Sequence, residues 1–360
     1  MAKNLSTVSS VETAPKYIPV INSLRGLAAV TVCIFHLIWK PLNFLEGTRI
    51  YELAPFGKYG VEIFFIITGV VIPLTLVNGK YNYRVFGTFI WKRIARIEPS
   101  YLFSLLTGVL FILLRNHFLS KTPHDIPTVK SLLLHIGYLV PFVKGEQWFM
   151  DVYWTMAVEF QFYLIVSLLF PLLADRKLMI RLVTYFVVFG VAFTFTNTAF
   201  ALVWLPVFMM GIIYVNYRSG KIKRTEFWII LLASICTSFL LHNVIITVVS
   251  VCTLAVIHFF AGYQSKSGNF LGKISYSLYL MHMIFGAAAI NFFIPYVNSL
   301  SLKLLVVLLG FVVSLISAYV FYLVIEHPFQ KLASKISLKP KAVVEKEEAN
   351  SNWVLTKVFH

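Results

Sequence analysis

Apolar stretches too long and too numerous for the core of a water-soluble domain recur along almost the whole chain, and they fix the class of fold before any single residue is considered. A helix needs about 17 to 25 apolar residues to cross a hydrocarbon layer ~30 Å thick. Runs at 21–40, 57–77, 99–118, 153–173, 178–196, 200–215, 227–241, 244–262, 270–293 and 302–325 meet or approach that length. With 59% hydrophobic and only 13% charged residues, the chain reads as an all-α polytopic membrane protein of about ten transmembrane helices.

The loops orient those helices, because short cytoplasmic loops collect Lys and Arg. Lys80, Arg84, Lys92, Arg93 and Arg96 fall between the second and third runs, and Arg176, Lys177 and Arg181 between the fourth and fifth. Arg218, Lys221, Lys223 and Arg224 separate the sixth from the seventh, Lys266 and Lys273 the eighth from the ninth, and Lys331, Lys335, Lys339 and Lys341 follow the tenth. The alternate turns carry almost no charge, so both termini are expected in the cytoplasm. The stretch 115–146, with Lys121, Lys130 and Lys144, breaks the pattern, as long loops do. Its apolar part, 129–141, is too short to span and follows Pro123 and Pro127, so it is expected to be interfacial or re-entrant on the outer side. The net charge of +16 follows from this asymmetry and points to anionic lipid as a partner rather than to nucleic acid. Segments 1–16 and 333–360 read as cytoplasmic tails flanking a membrane domain at 17–332. No small-residue cleavage site follows the first apolar run, which therefore stays as a helix. Cys33, Cys236 and Cys252 lie in apolar stretches and read as reduced core residues.

Several spans hold residues that a simple anchor would not keep. On a helix, the eleven residues from Arg25 to His36 turn through about three full turns and rise ~16 Å, so both lie on one face. Arg25 then sits near the inner leaflet and His36 in the outer half. An intramembrane charge is expensive; Arg25 either serves a function or snorkels to headgroups, and His36 either reacts or bonds a neighbouring helix. Glu62 lies at the depth of His36 but close enough to the outer boundary to face headgroups instead. Gly69 and Pro73 could break the second helix, with Thr68 satisfying a freed carbonyl, and Pro206 and Gly211 could kink the sixth. Arg93 and Arg96, three apart on an amphipathic cytoplasmic stretch ended by Pro99, point the same way and can clamp phosphates or touch anionic lipid. Glu159 lies too deep to snorkel. Tyr279 and His282 share a face of the ninth helix. Glu326 in VIEHPF, where Pro328 should stop the helix, reads as a structural lock against the basic surface.

The segments NSLRGLAAVTVCIFH, GVEIFFIITGVVI, WKRIARIEPSY, WTMAVEFQFYLI, ISYSLYLMH and VIEHPFQ occur in that order, and together they resemble the motifs of the bacterial acyltransferase-3 family of integral membrane O-acyltransferases. The resemblance spans about residues 17–332. It implies transfer of an acyl group, most often acetyl from cytoplasmic acetyl-CoA, onto hydroxyls of cell-surface sugars such as O-antigen, capsule or exopolysaccharide, by an enzyme of the bacterial inner membrane. It marks Arg25 and His36 as essential and the Arg93, Arg96 pair as an element on the CoA side. Glu62 replaces a more usual Asp, Thr68 a Ser, and Glu98 an apolar or aromatic residue. No extracellular hydrolase-like domain follows the tenth run, so the membrane domain is expected to act alone or with a separate partner.

The expected scheme docks the CoA phosphates against Arg93, Arg96 and Arg25, and lets a neutral His36 take the proton of the acceptor hydroxyl. Glu159, or failing it Glu62, would hold the imidazole tautomer. Thr68, Tyr279 and His282 support the site, and no metal is expected. Transient acylation of His36 or Cys33 is a second route. The competing class is a proton-coupled transporter or flippase, which also uses intramembrane Arg, His and Glu; the interrupted second and sixth helices would be its paired elements. The acceptor's identity, lipid-linked or free, and the oligomeric state are not legible.

Overall fold

The computed structural model describes residues 15, 17–41, 44–118 and 125–338. Lys121, Pro123, Lys339, Lys341 and most of the two tails read from the sequence lie outside these. Among the described residues there is no strand, and ten long helices follow the apolar runs. They are α1 (Val20–Trp39), α2 (Gly60–Asn78), α3 (Phe86–Phe118), α4 (Tyr153–Leu173), α5 (Leu178–Ala192), α6 (Ala201–Arg218), α7 (Arg224–Leu241), α8 (Val244–Phe259), α9 (Lys266–Met281) and α10 (Leu300–Phe321). α9 continues through a π turn at His282–Gly286 into Ala287–Phe293, and α10 through another at Tyr322–Glu326 into His327–Ser334. Eight of these helical segments are long and apolar enough to cross a membrane, while α5 and α8 are shorter apolar helices.

Glycines set the tightest crossings. A Cβ on Gly26 would lie 2.6 Å from the Cβ of Leu271, which lets α1 lie directly on α9. One on Gly211 would lie 2.7 Å from the carbonyl oxygen of Gly69, so α2 and α6 meet backbone to backbone. Small residues let membrane helices approach this closely, where lipid gives no hydrophobic drive for association. This corrects the expectation that Gly69 and Gly211 interrupt their helices: α2 runs unbroken through Pro73, as α6 does through Pro206.

Two more prolines behave differently from expectation. Pro99 lies inside a continuous α3 instead of ending an amphipathic cytoplasmic helix, and Pro328 enters the first turn of the last helical segment instead of stopping α10. In hydrocarbon, leaving the helix strands several backbone groups, whereas a proline forfeits one bond, so the helix continues. Cys33 is buried as expected, but Cys236 and Cys252 are exposed on the bundle surface and are not core residues.

The described ends of the chain meet the basic loops. Val20 N–H donates to Ala261 O at 3.4 Å, beside the α8–α9 loop, and Lys92 Nζ donates to Ile336 O at 2.7 Å. On the opposite face, Lys40 pairs with Asp151, and Lys130 with Glu146 at 2.9 Å. There the short helix Val129–Ile136 caps the bundle. His135 anchors it: Nδ1 donates to Ser131 O at 2.7 Å, and Nε2 accepts from Phe149 N–H at 2.8 Å. Burial lowers the pKa of His135, which favours the neutral ring that this pattern requires. From this cap Tyr138 packs in toward α3 and α4, against Tyr101 and Phe160, where it is 5% exposed.

Candidate active site

Helices α1, α2, α3, α4, α9 and α10 surround a cavity with about 910 Å³ of empty volume. Its walls follow from helical periodicity. Arg93 and Arg96, one turn apart on α3, face it together with Arg25 of α1. Glu159 and Tyr163, also one turn apart on α4, stand opposite, and Thr68 of α2 completes this part of the wall.

The two carboxylates on the wall are already held by neutral donors. Glu159 Oε1 accepts from Thr68 Oγ1 at 3.2 Å and from the Tyr163 hydroxyl. Glu326, fully buried, accepts at Oε2 from the backbone N–H and the hydroxyl of Ser277 at 3.1 and 2.5 Å, and at Oε1 from Gln330 Nε2 at 2.6 Å. Among the described residues, no carboxylate lies within 4.0 Å of the guanidinium of Arg25, Arg93 or Arg96. Arg93, only 4% exposed, lies over the rings of Phe89 and Tyr163 at 5.3 and 5.9 Å, and its Nε has no hydrogen-bond partner. Three cations with no ion-pair partner around a low-dielectric cavity make it a receptor for an anion with several oxygens.

Tyr279 forms the far wall, its hydroxyl 2.7 Å from Thr155 Oγ1. Behind it, 6.1 Å from ring to ring, lies His282, and beyond that His36. His36 Nδ1 and His282 Nε2 are 2.9 Å apart, and His282 Nδ1 is 2.9 Å from Leu278 O. A carbonyl can only accept, so His282 Nδ1 carries a proton; in a neutral ring Nε2 is then the acceptor. His36 must donate through Nδ1, which leaves a lone pair on its Nε2. The pair therefore presents one basic nitrogen, a single turn below the face that carries the Lys40–Asp151 ion pair.

The structure thus brings Arg25, Arg93, Arg96, Thr68, Glu159 and Tyr279 to one cavity, with His36 and His282 as an adjoining pair. It corrects the expectation that Glu159 or Glu62 orients His36: the partner is His282, because Glu159 is turned toward Thr68 and Tyr163. Thr68 correspondingly bonds Glu159 and not a freed backbone carbonyl. Glu62 stands apart from the cavity wall; at 5% exposure it does not face headgroups either, and its Oε2 is unpartnered. Arg93 is too buried to lie on anionic lipid. Sequence reasoning left Glu326 at the basic surface and missed Gln330 and Tyr163, both on the cavity wall, which Tyr276 of the ISYSLYLMH segment also lines. The spacing of four between Glu326 and Gln330, and between Glu159 and Tyr163, was the available signal.

Comparison with known proteins matches residues 18–323 to the family described as the acyltransferase domain. The ORF330 protein of Acidianus two-tailed virus, provisionally named an acetyltransferase, is 28% identical over 294 residues, covering 74% of this chain and 83% of that protein. The O-acetyltransferase OatA of Staphylococcus aureus strain NCTC 8325 / PS 47 is 26% identical over 170 residues, 45% of this chain and 26% of OatA. The match therefore spans about a quarter of OatA's length. No solved structure matches the chain. With α1 to α10 inside the matched region, the chain belongs to the acyltransferase-domain family.

Proposed function

We propose that this multi-pass membrane protein moves an acetyl group from acetyl-CoA to a hydroxyl of a cell-surface carbohydrate. The observation that carries the reading is the set of three guanidiniums, without ion-pair partners among the described residues, around a cavity whose far wall, Tyr279, backs onto a histidine pair with one free ring nitrogen. The arginines suit the phosphates of CoA, and the tendency of basic loops to stay inside supports a cytoplasmic position for their end of the bundle in a bacterial inner membrane. The names of the acetyltransferase relatives support acetyl as the group transferred.

In this scheme His36 Nε2 accepts the proton of the acceptor hydroxyl as its oxygen attacks the thioester carbonyl; the C–S bond breaks and CoA leaves as the thiolate, which takes up the proton released by His36 Nε2, directly or through solvent, so that the ring returns to neutral. Base assistance of this kind is worth about 10² to 10⁴ in rate. His282 keeps the His36 lone pair on Nε2. Glu326 and Glu159, bonded to neutral donors, limit the local positive charge without cancelling the arginines. Cys33 is completely buried, which speaks against it as an acyl carrier. The carrier reading loses its paired interrupted helices, because α2 and α6 are continuous.

The test uses surface polysaccharide from bacteria expressing the wild type, His36→Ala, or no protein. Alkali-labile acetate seen by NMR only with the wild type supports the proposal. Equal ester in all three samples, together with no acetyl-CoA turnover by the purified wild type, would refute it.

A further inference from the structure

The main cavity stops one side chain short of the histidine pair. Thr155 and Tyr279 are among its lining residues, whereas His36 and His282 are not. Between cavity and pair, Tyr279 reaches from α9 across to the start of α4: its hydroxyl is 2.7 Å from Thr155 Oγ1 and donates to Val152 O at 3.3 Å. Val152 follows Asp151, whose ion pair with Lys40 is exposed on the face opposite the basic loops. A single aromatic ring therefore closes the end of the arginine-lined cavity that points toward that face.

Three features mark this ring as a movable part of the wall. First, its socket on α4 is satisfied without it, because Thr155 Oγ1 donates to Val152 O at 2.9 Å. When Tyr279 withdraws, that bond stays, so no buried group on α4 is stranded and the usual cost of an unmet partner does not arise there. Second, the cavity lies directly beside the latch, with about 910 Å³ of empty volume and a polar lining that can receive the released hydroxyl. The ring's aromatic neighbours, Phe64 and His282, meet it edge to face at 5.9 and 6.1 Å between centroids, with no stacked contact to hold it. Third, α9 passes into its π turn at His282, three residues beyond Tyr279. A single π turn inside an α-helix is frequently found at a functional site.

We propose that Tyr279 is a gate between the donor cavity and the histidine pair, latched shut on Thr155 and Val152 in this structure and turned aside for acetyl transfer. The proposal rests on the acetyl-transfer reading above: with the CoA phosphates at the arginines, the acetyl group meets the base on His36 only when the ring leaves the path. Closed, the gate also protects a waiting thioester from water at the histidine pair. Water that passed it would give a proton to His36 Nε2 as its oxygen attacks the carbonyl carbon. The C–S bond would break, CoA would leave as the thiolate and take that proton, and the acetyl group would be lost as acetic acid with no acceptor modified.

The experiment measures hydrolysis of acetyl-CoA by the purified full-length protein without acceptor, together with the Kd for acetyl-CoA, in wild type, Tyr279→Phe, Tyr279→Ala and the double variant Tyr279→Phe/His36→Ala. Tyr279→Phe keeps the ring but removes the latch, and should raise hydrolysis about threefold or more. Tyr279→Ala removes the ring and should raise it about tenfold or more, with acetyl-CoA affinity within about threefold of wild type in both. The excess should vanish in the double variant, because it runs through His36; general loosening of the bundle would leave it in place. Hydrolysis at or below the wild-type rate in both single variants would overturn the proposal, as would an excess that survives in the double variant. A loss of affinity of about tenfold or more would assign Tyr279 to donor binding and overturn it too. If Tyr279→Ala does not accumulate in the membrane, Tyr279→Phe and the double variant decide alone. Absence of both surface ester and acetyl-CoA turnover with the wild type would remove the acetyl-transfer reading and the gate with it. Ester formed by the wild type, with hydrolysis unchanged in the variants, removes the gate only.

Discussion

Replacing His282 isolates the contribution of tautomer control from that of the base itself. His282→Leu leaves the His36 Nδ1–H without its acceptor in a site where His36 is 8% exposed. An unmet buried donor costs about 1–3 kcal/mol, so the productive tautomer should lose a factor of about 5 to 150 in population. His36→Ala removes the base and should cost about 10² to 10⁴. The double variant should then be no slower than His36→Ala, because a positioning residue has nothing left to position. His282→Gln, whose amide oxygen can accept from Nδ1–H, should recover most of the loss. The assay is acetyl-CoA-dependent ester formation at saturating acetyl-CoA, with the acetyl-CoA Kd as a check on folding. Multiplicative losses in the double variant, or His282→Gln as slow as His36→Ala, would refute the relay and give His282 an independent chemical role.

Other expectations follow from the cavity walls and the packing. In the proposed docking of acetyl-CoA, Arg25→Ala or Arg96→Ala would remove a charge-assisted phosphate contact worth about 1.5–3 kcal/mol, so acetyl-CoA affinity should fall about 10- to 150-fold, and raising the salt should weaken wild-type binding; equilibrium titration measures both. Gly211→Leu drives a side chain into the backbone of α2 at Gly69, and overpacking costs about 1–3 kcal/mol or more; the amount of monodisperse protein in detergent and its Tm should both drop. The outer cap should respond to pH. Burial holds the pKa of His135 below its ordinary value, so the stabilisation is complete at neutral pH and is lost as pH falls through the lowered folded-state pKa, where Nε2 can no longer accept from Phe149. The protection factor of the Phe149 amide, its exchange rate relative to the intrinsic rate at the same pH, should fall on acidification in the wild type but not in His135→Gln.

What the sequence disclosed was whatever depends on neighbours along one helix. The shared face of Arg25 and His36, the pairing of Arg93 with Arg96 and of Tyr279 with His282, and the helical runs all follow from a period of 3.6 residues. What it concealed was contact between helices. His36 and His282 are 246 residues apart, and nothing local marks one as the other's partner; the carboxylate preferred instead, Glu159, was chosen for depth alone. Pro99 and Pro328 misled for a related reason: rules for ending helices in water weigh a proline against solvated alternatives, and a membrane offers none. Tyr138 was hidden twice, by its place in a loop and by a left-handed conformation that its residue type does not announce.

The π turns at His282–Gly286 and Tyr322–Glu326 bear on how chains of this kind can vary in length. Losing one residue from an α-helix rotates everything beyond it by about 100° and carries every lipid-facing side chain toward the protein. A π turn already holds one residue more than an α turn requires, so a deletion at 283–285 can tighten to α geometry and leave Ala287–Phe293 on its original side. A one-residue gap there is geometrically silent, whereas the same gap between Arg25 and His36 would swing the histidine away from its partner.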